Sequence, residues 1–156
     1  MYTPRQARDE LGEPIQAVIL AAGAGSRLQA NNGKLPKPLT PLLGLTLLER
    51  TILSCREAGV SECYVVIGSQ GEMLMPHIEA LGQRTGVSVR AVWNRNWAKG
   101  NGTSVEAVAP YIKEYFFLLM SDHLFDPEIL RSLANARDTS PGCFLAVDRR
   151  KDQIFN

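Results

Sequence analysis

The run Gln16–Ala22 (QAVILAA) is short, apolar and rich in branched side chains, and it ends on glycines. With no polar alternation along it, the run fits a strand buried on both faces, as in a parallel sheet covered by helices. Cys63–Ile67 (CYVVI) has the same character, and Tyr115–Met120 (YFFLLM) and Cys143–Val147 (CFLAV) read as further strands. Val87–Trp93 (VSVRAVW) alternates more, which suits a place nearer an edge. Helix signals lie between these runs. Thr46 and Glu49 have the capping-box spacing, and Leu48, Ile52 and Cys55 then fall on one helical face. Gly59 suits the residue that closes this helix. Asp126-Pro127-Glu128 reads as an N-cap, a proline at the first helical position and an acid in the first turn. Helices are also expected over Glu72–Leu81 and Ser104–Ile112. Strands alternating with helices predict one α/β domain built on a parallel sheet with right-handed crossovers.

Charge and composition narrow the function classes. The 17 basic and 16 acidic residues nearly cancel, leaving +1. A duplex-binding protein needs a basic excess to meet phosphates, so nucleic acid is not an expected partner and any phosphate binding is local. A chain that is 45% hydrophobic has enough apolar content to fold, which excludes a disordered segment. Its apolar runs, Ala17–Ala22 among them, fall far short of the ~20 residues a bilayer span needs, so no membrane contact is expected from this chain. Met1–Pro14 carries two arginines but no apolar core of a secretory signal, and reads as an N-terminal extension ahead of a domain over 15–156. Cys55, Cys63 and Cys143 are odd in number and lack metal-ligand spacing, which predicts reduced, buried thiols in a cytoplasmic protein.

The stretch from Gly23 to Leu45 leaves little room for a regular element, because Pro36, Pro38, Pro41 and four glycines punctuate it. A loop of that length after the first strand of a parallel sheet lies at the carboxyl edge, where such sheets bind ligands. It opens Gly23-Ala24-Gly25-Ser26-Arg27-Leu28, and glycines let backbone N–H groups turn toward an anion. A dinucleotide fingerprint would want Gly or Ala where Leu28 stands, and an acid where the second strand is followed by Gly68-Ser69-Gln70. A Walker loop does not begin at Gly23 either. Two readings remain: a glycine cradle closed by Arg27 around a triphosphate, and a plain tight turn at a strand exit. Downstream, Pro36 and Pro38 fix the backbone on both sides of Lys37 and present its ammonium from a stiff segment. Alone, such a lysine is most often a solvated loop residue.

Taken together, Leu20-Ala21-Ala22-Gly23-Ala24-Gly25-Ser26-Arg27-Leu28 and Pro36-Lys37-Pro38-Leu39 resemble the signature of the sugar-phosphate nucleotidyltransferase superfamily. The resemblance continues through Lys99-Gly100-Asn101-Gly102-Thr103-Ser104 and Met120-Ser121-Asp122-His123, and covers residues 16 to about 150. Within the superfamily these motifs are most similar to the cytidylyltransferase domain that couples CTP to inositol 1-phosphate. That domain is often fused to a membrane-bound phosphotransferase making di-inositol phosphate, which would put it at the inner face of a membrane. The fold implied is a Rossmann-like three-layer α/β sandwich with a mostly parallel sheet. The resemblance implies that the backbone at Leu20, Ala21, Ala22 and Gly23 lines the base and ribose. It implies that Gly25, Ser26 and Arg27 hold the triphosphate, and that Lys37 bridges the α-phosphate and the incoming phosphate. Asn101 and Gly102 would lie beside base and sugar, and Asp122 would be the Mg²⁺ carboxylate. The reaction implied joins a phosphate monoester to CMP and releases pyrophosphate. Such chemistry needs cations to gather negative charge rather than a strong base.

Other residues carry two readings. His77 is expected at the surface or in packing, and His123 either touching substrate or beside Asp122, or in a structural role. Trp93 and Trp97 could shield a pocket or pack on the sheet edge. Asp148 could approach an acceptor pocket, but a solvated strand end is the expectation. The alternatives to CTP and inositol 1-phosphate are another NTP with a sugar 1-phosphate or phosphocholine, or a nucleotide-binding module without turnover. Relatives of this kind run on past the fifth strand to a second metal carboxylate and further acceptor contacts. The 156 residues are therefore expected to be the front part of a longer protein, binding CTP–Mg²⁺ weakly with little or no turnover.

Overall fold

The first strand, β1 (Gln16–Ala21), is buried along its whole length. The structure, a computed structural model, describes residues 15–24, 35–113, 115–136 and 142–147. Among these, β1 lies inside a four-stranded sheet of order β5-β4-β1-β6, with β4 (Glu62–Ile67), β5 (Ser88–Trp93) and β6 (Phe116–Met120). Every pairing is parallel; Ile19 lies between Val65 on β4 and Leu119 on β6. The expected edge position of the Val87–Trp93 run is borne out, since β5 pairs only with β4 among the described residues.

Alternate β1 residues feed two cores. Ala17, Ile19 and Ala21 join Cys63, Val65 and Ile67 on one face, covered by α1 (Leu47–Glu57), α2 (Gly71–Thr85) and α4 (Pro127–Ala136) through Ile52, Ile78 and Leu130. Val18, Leu20 and Ala22 join Tyr64, Val66 and Val92 on the other face, where Val108 of α3 (Asn101–Val108) closes the packing. The result is the three-layer α/β sandwich. Several polar side chains are buried within it, Gln16 and Asn94 among them. Gln16 is 1% exposed, donates to Glu62 (2.6 Å) and the Tyr111 carbonyl, and accepts from the Lys113 amide (2.8 Å). Its hydrogen-bonding groups are thus satisfied, as burial requires. Cys55 and Cys63 are buried as expected, and a hydrogen bond with Cys55 together with burial pushes the Cys63 thiol's pKa up. Cys143, expected to be buried, is exposed.

The helix ends follow the sequence signals. Thr46 Oγ1 accepts from the Glu49 amide (3.1 Å), and Asp126 Oδ1 accepts from the Glu128 amide (2.9 Å). Gly59 takes φ +96°, the left-handed exit expected after α1. Helix α2 runs a turn beyond Leu81, to Thr85, until Gly86 at φ +72° closes it. Helix α3 departs more from the expected Ser104–Ile112. It starts at Asn101, because Gly100 at φ +106° turns the chain into it, and then tightens into a 3₁₀ turn, Ala109–Tyr111, where Pro110 offers no amide donor.

Two expectations fail. Residues Cys143–Val147 are not a strand: they are exposed and pair with none of the described strands, and a strand needs a neighbour to take its hydrogen bonds. The stretch before Leu45 is also more structured than its prolines suggest. Lys37–Leu39 forms a 3₁₀ turn, and β2 (Pro41–Leu42) and β3 (Leu45–Thr46) form a small hairpin. Its two central residues, Leu43 (φ +49°) and Gly44 (φ +82°), both take positive φ, as a two-residue type I′ hairpin turn demands. Arg50 on α1 holds this turn by donating to the carbonyls of Leu42 and Leu43.

The Thr46 cap joins this hairpin to α1. Thr46→Ala is expected to cost about 1 kcal/mol of stability, the usual loss for an N-cap hydroxyl, with no change in fold. A urea titration followed by circular dichroism checks it.

Candidate active site

Because the sheet is parallel, the carboxyl ends of β1, β4, β5 and β6 share one edge, and each is followed by a segment singled out in the sequence. After β1 come Ala22 and Gly23. The side chains of Leu20 and Ala22 belong to the core, and the Leu20 and Ala22 carbonyls accept from Ser121 and Ser69 (3.1 Å each). What stays open at the strand exit is Gly23, which is exposed. Gly25, Ser26 and Arg27, the expected triphosphate cradle, lie outside the described residues, as does Asp148.

Lys37 and Asp122, 85 residues apart, meet at this edge: Lys37 Nζ donates to Asp122 Oδ2. The 3₁₀ turn supports the lysine from below, with Pro38 and Leu39 buried and the Leu39 amide bonded to the Pro36 carbonyl (2.8 Å). Asp122 directly follows Ser121, whose amide continues the β1 ladder. Burial pushes the Asp122 pKa up, but the hydrogen bond and charge of Lys37, with a smaller contribution from His123, outweigh it and hold the carboxyl below its ordinary value of 3.8. Its other oxygen, Oδ1, is buried and has no hydrogen-bond partner among the described residues. His123 Nε2 lies 3.9 Å from it, too far for a hydrogen bond, and the imidazole is largely exposed.

An anionic oxygen whose lone pairs accept no hydrogen bond is the donor type that Mg²⁺ takes. No cluster of three or more acidic, histidine or cysteine side chains stands ready to hold a metal among the described residues. The fit is to a cation bound by one carboxylate, with the remaining ligands coming from substrate phosphates and water, which suits Mg²⁺.

The third and fourth segments meet over Gly68. A Cβ there would lie 2.6 Å from Trp97 Cβ and 2.8 Å from the Ala22 carbonyl oxygen, so only glycine lets these three chain segments converge. A cleft of about 430 Å³ opens beside them, lined by Gly68, Trp93, Asn94, Arg95 and Trp97. Trp97 thus faces the cleft. Trp93 lines the cleft as well and also packs its ring edge against Gly71 of α2, so both expectations for it meet. Asn101 and Gly102 are exposed at the start of α3, which follows this loop. Beside His123 a second hollow, about 250 Å³, runs along α1 past Arg50 and Ser54. His77 is exposed on α2, as expected. Gly68 and Asn94 were not foreseen as site residues. The sequence does mark each, as the residue directly after a strand.

A parallel α/β sheet whose carboxyl edge gathers a strand-exit glycine, a proline-braced lysine and a half-buried aspartate defines a nucleotide-binding domain of the transferase kind. The chain belongs to the MobA-like NTP transferase domain family, matched over residues 17–154. Among relatives, the bifunctional IPC transferase and DIPP synthase of Rubrobacter xylanophilus is 43% identical over 140 residues, 88% of this chain and 30% of that protein. The CMP-5'-(3-aminopropyl)phosphonate synthase of Streptomyces rubellomurinus is 35% identical over 128 residues, 81% of this chain and 20% of that protein. The inositol-1-phosphate CTP transferase from T. maritima superposes with a TM-score of 0.68 at 31% identity, over 77% of this chain and 48% of that one. The chain thus spans less than a third of the length of these curated relatives.

Two outcomes follow from the geometry. A carboxyl with a lowered folded pKa adds stability above its ordinary value of 3.8 and loses it as pH falls through the folded value. Asp122→Asn should therefore flatten the acid limb of a melting-temperature profile, and an unaltered limb would contradict the pairing. Gly68→Ala should cost roughly 1–3 kcal/mol, because Trp97 Cβ and a backbone carbonyl must both shift, and urea unfolding measures it.

Proposed function

We propose that this domain transfers CMP from CTP to a small phosphate monoester, inositol 1-phosphate first among them, and releases pyrophosphate. The observation that carries the reading is the convergence of Lys37 and Asp122 at the carboxyl edge beside the β1 exit. The similarity to proteins named for inositol-1-phosphate CTP transfer and IPC transfer supports the choice of nucleotide and acceptor.

The acceptor phosphate is already anionic when it attacks the α-phosphorus in line, so the residues have charge to manage rather than a proton to remove. Lys37 leaves Asp122 for the α-phosphate and the incoming phosphate, neutralising charge where the two anions are brought together. The resemblance assigns Arg27 to the departing pyrophosphate and Gly25 and Ser26 to the triphosphate, all three outside the described residues. The backbone of Leu20–Gly23, together with Asn101 and Gly102, lines base and ribose. Asp122 would hold Mg²⁺, which when bound supplies charge neutralisation on the triphosphate. The buried thiols Cys55 and Cys63 suit a reducing compartment, the cytoplasm. No helix among the described residues is long and apolar enough to cross a membrane. A membrane domain fused to the whole protein would put this one at the membrane's inner face.

A second reading keeps the chemistry and changes the acceptor to a phosphonate, on the 35% identity to the aminopropylphosphonate synthase. Pyrophosphate release across the four NTPs, each with inositol 1-phosphate, a sugar 1-phosphate, phosphocholine and an alkylphosphonate, separates these readings. Release with CTP and inositol 1-phosphate above all other pairs is the expected result. Nucleotide binding without release from any pair would leave a binding module in its place. Lys37→Ala should lower turnover by about 10²-fold or more in a folded protein, since it removes a cation at the reacting phosphates. Turnover near that of the parent would remove Lys37 from the mechanism.

A further inference from the structure

Asn94 is polar, follows β5 and borders the cleft, but at 2% exposed it offers a ligand little surface. Its side chain nevertheless uses every strong hydrogen-bonding group it has. Nδ2 donates to Thr103 Oγ1 and to Ser104 Oγ (3.0 Å each), and Oδ1 accepts from the Asn96 amide (2.8 Å). Its backbone amide donates to the Ile67 carbonyl (2.8 Å), which fastens the residue to the end of β4. Thr103 Oγ1 carries the network on to the carbonyls of Asn96 (3.1 Å) and Gly100 (2.9 Å). One amide side chain thus ties the end of the sheet to both ends of the loop that carries Trp97 and leads to Asn101 and Gly102. That loop needs holding. It includes Gly100 at φ +106°, and residues 95–102 are largely exposed, with no buried apolar side chain to fix them.

We infer that Asn94 is a positioning residue for the nucleotide: it holds the cleft wall at Trp97 and the loop that leads on to Asn101 and Gly102. The inference rests on the nucleotide-binding reading above and adds to it a residue that acts through the loop. An alanine at 94 would strand the Asn96 amide and remove the donors to Thr103 and Ser104, leaving the wall free to sample other positions. Leucine or valine could fill the space but could not donate twice and accept once, and aspartate would lose both donors.

The test compares the parent chain with Asn94→Ala, with Thr103→Val, which removes the Thr103 hydroxyl and its contacts but leaves Asn94 bound to Ser104 and to the Asn96 amide, and with Ile78→Val. Ile78 is a buried residue of α2, and its change costs stability without altering the network. CTP–Mg²⁺ affinity is measured by calorimetry, and backbone hydrogen exchange is followed over residues 95–104. The expected result is a Kd raised about ten-fold in Asn94→Ala, raised less in Thr103→Val, with faster exchange through the loop in both. Ile78→Val should lower the melting temperature and move neither quantity. Unchanged affinity in folded Asn94→Ala overturns the inference while leaving the proposed function standing. An equal loss of affinity in Ile78→Val also overturns it, since the effect would then be general destabilisation. A parent that binds none of the four NTPs overturns the proposed function itself. Unchanged exchange at 95–104 in both network variants overturns the role of Asn94 whatever the nucleotide result.

Discussion

Strand β1 is hydrogen-bonded to β4 on one side and to β6 on the other, and both of its faces are buried. Most of the architecture follows from that one placement. A strand with no solvated face needs a layer of helices above and below, and parallel neighbours need crossovers long enough to contain those helices. The crossovers return every strand in the same direction, so the segments that leave the sheet do so at one edge. Residues far apart in the chain, Lys37 and Asp122 above all, are neighbours there because each lies close to that edge. The chemistry at the edge is thus a consequence of topology before it is a matter of side chains.

The Lys37–Asp122 pair shows how such an edge can be both stable and ready to react. A carboxylate this far from water is costly alone, and the lysine offsets that cost in the ligand-free protein. The pairing is incomplete, since Oδ1 of Asp122 has no hydrogen-bond partner among the described residues. In the proposed chemistry the two groups then part, the lysine toward phosphate and the carboxylate toward a metal ion. Each exchanges one charged partner for another, so neither is stranded at any stage. The support beneath them is rigid. Pro36 and Pro38 fix the backbone around the lysine, and the β2–β3 hairpin that follows is clamped to α1 by Arg50.

On the other side of the edge the support is polar instead of apolar. Trp97 is seated over Gly68 with no room for a methyl group between them, and the rest of its loop hangs from Asn94. Hydrogen bonds suit this place, because they fix direction as well as distance, and a loop that lines a cleft cannot bury enough apolar surface to fix itself.

Local pattern was enough for much of the fold. The strands at 16–21, 62–67, 88–93 and 116–120 were legible as short apolar runs, and the ends of α1 and α4 as capping residues, because strand burial and helix capping depend on side chains close in sequence. The Cys143–Val147 run shows the limit. Its composition is that of a strand, yet strand identity is settled by a neighbour's hydrogen bonds, and none of the described strands provides them. The hairpin at 41–46 was hidden for a related reason. Its turn places Leu43 at positive φ, which no propensity favours and which the grip of Arg50 helps to hold. For the site, Lys37 and Asp122 were candidates through the resemblance of Pro36–Leu39 and Met120–His123 to a known family's motifs; by itself, a lysine between prolines reads as a solvated loop residue. That the two touch, that Gly68 must be glycine and that Asn94 anchors a loop were decided only by tertiary structure. Each depends on how close segments distant in the chain come to one another, a distance fixed by the packing of the whole sheet and carried by no local stretch of residues.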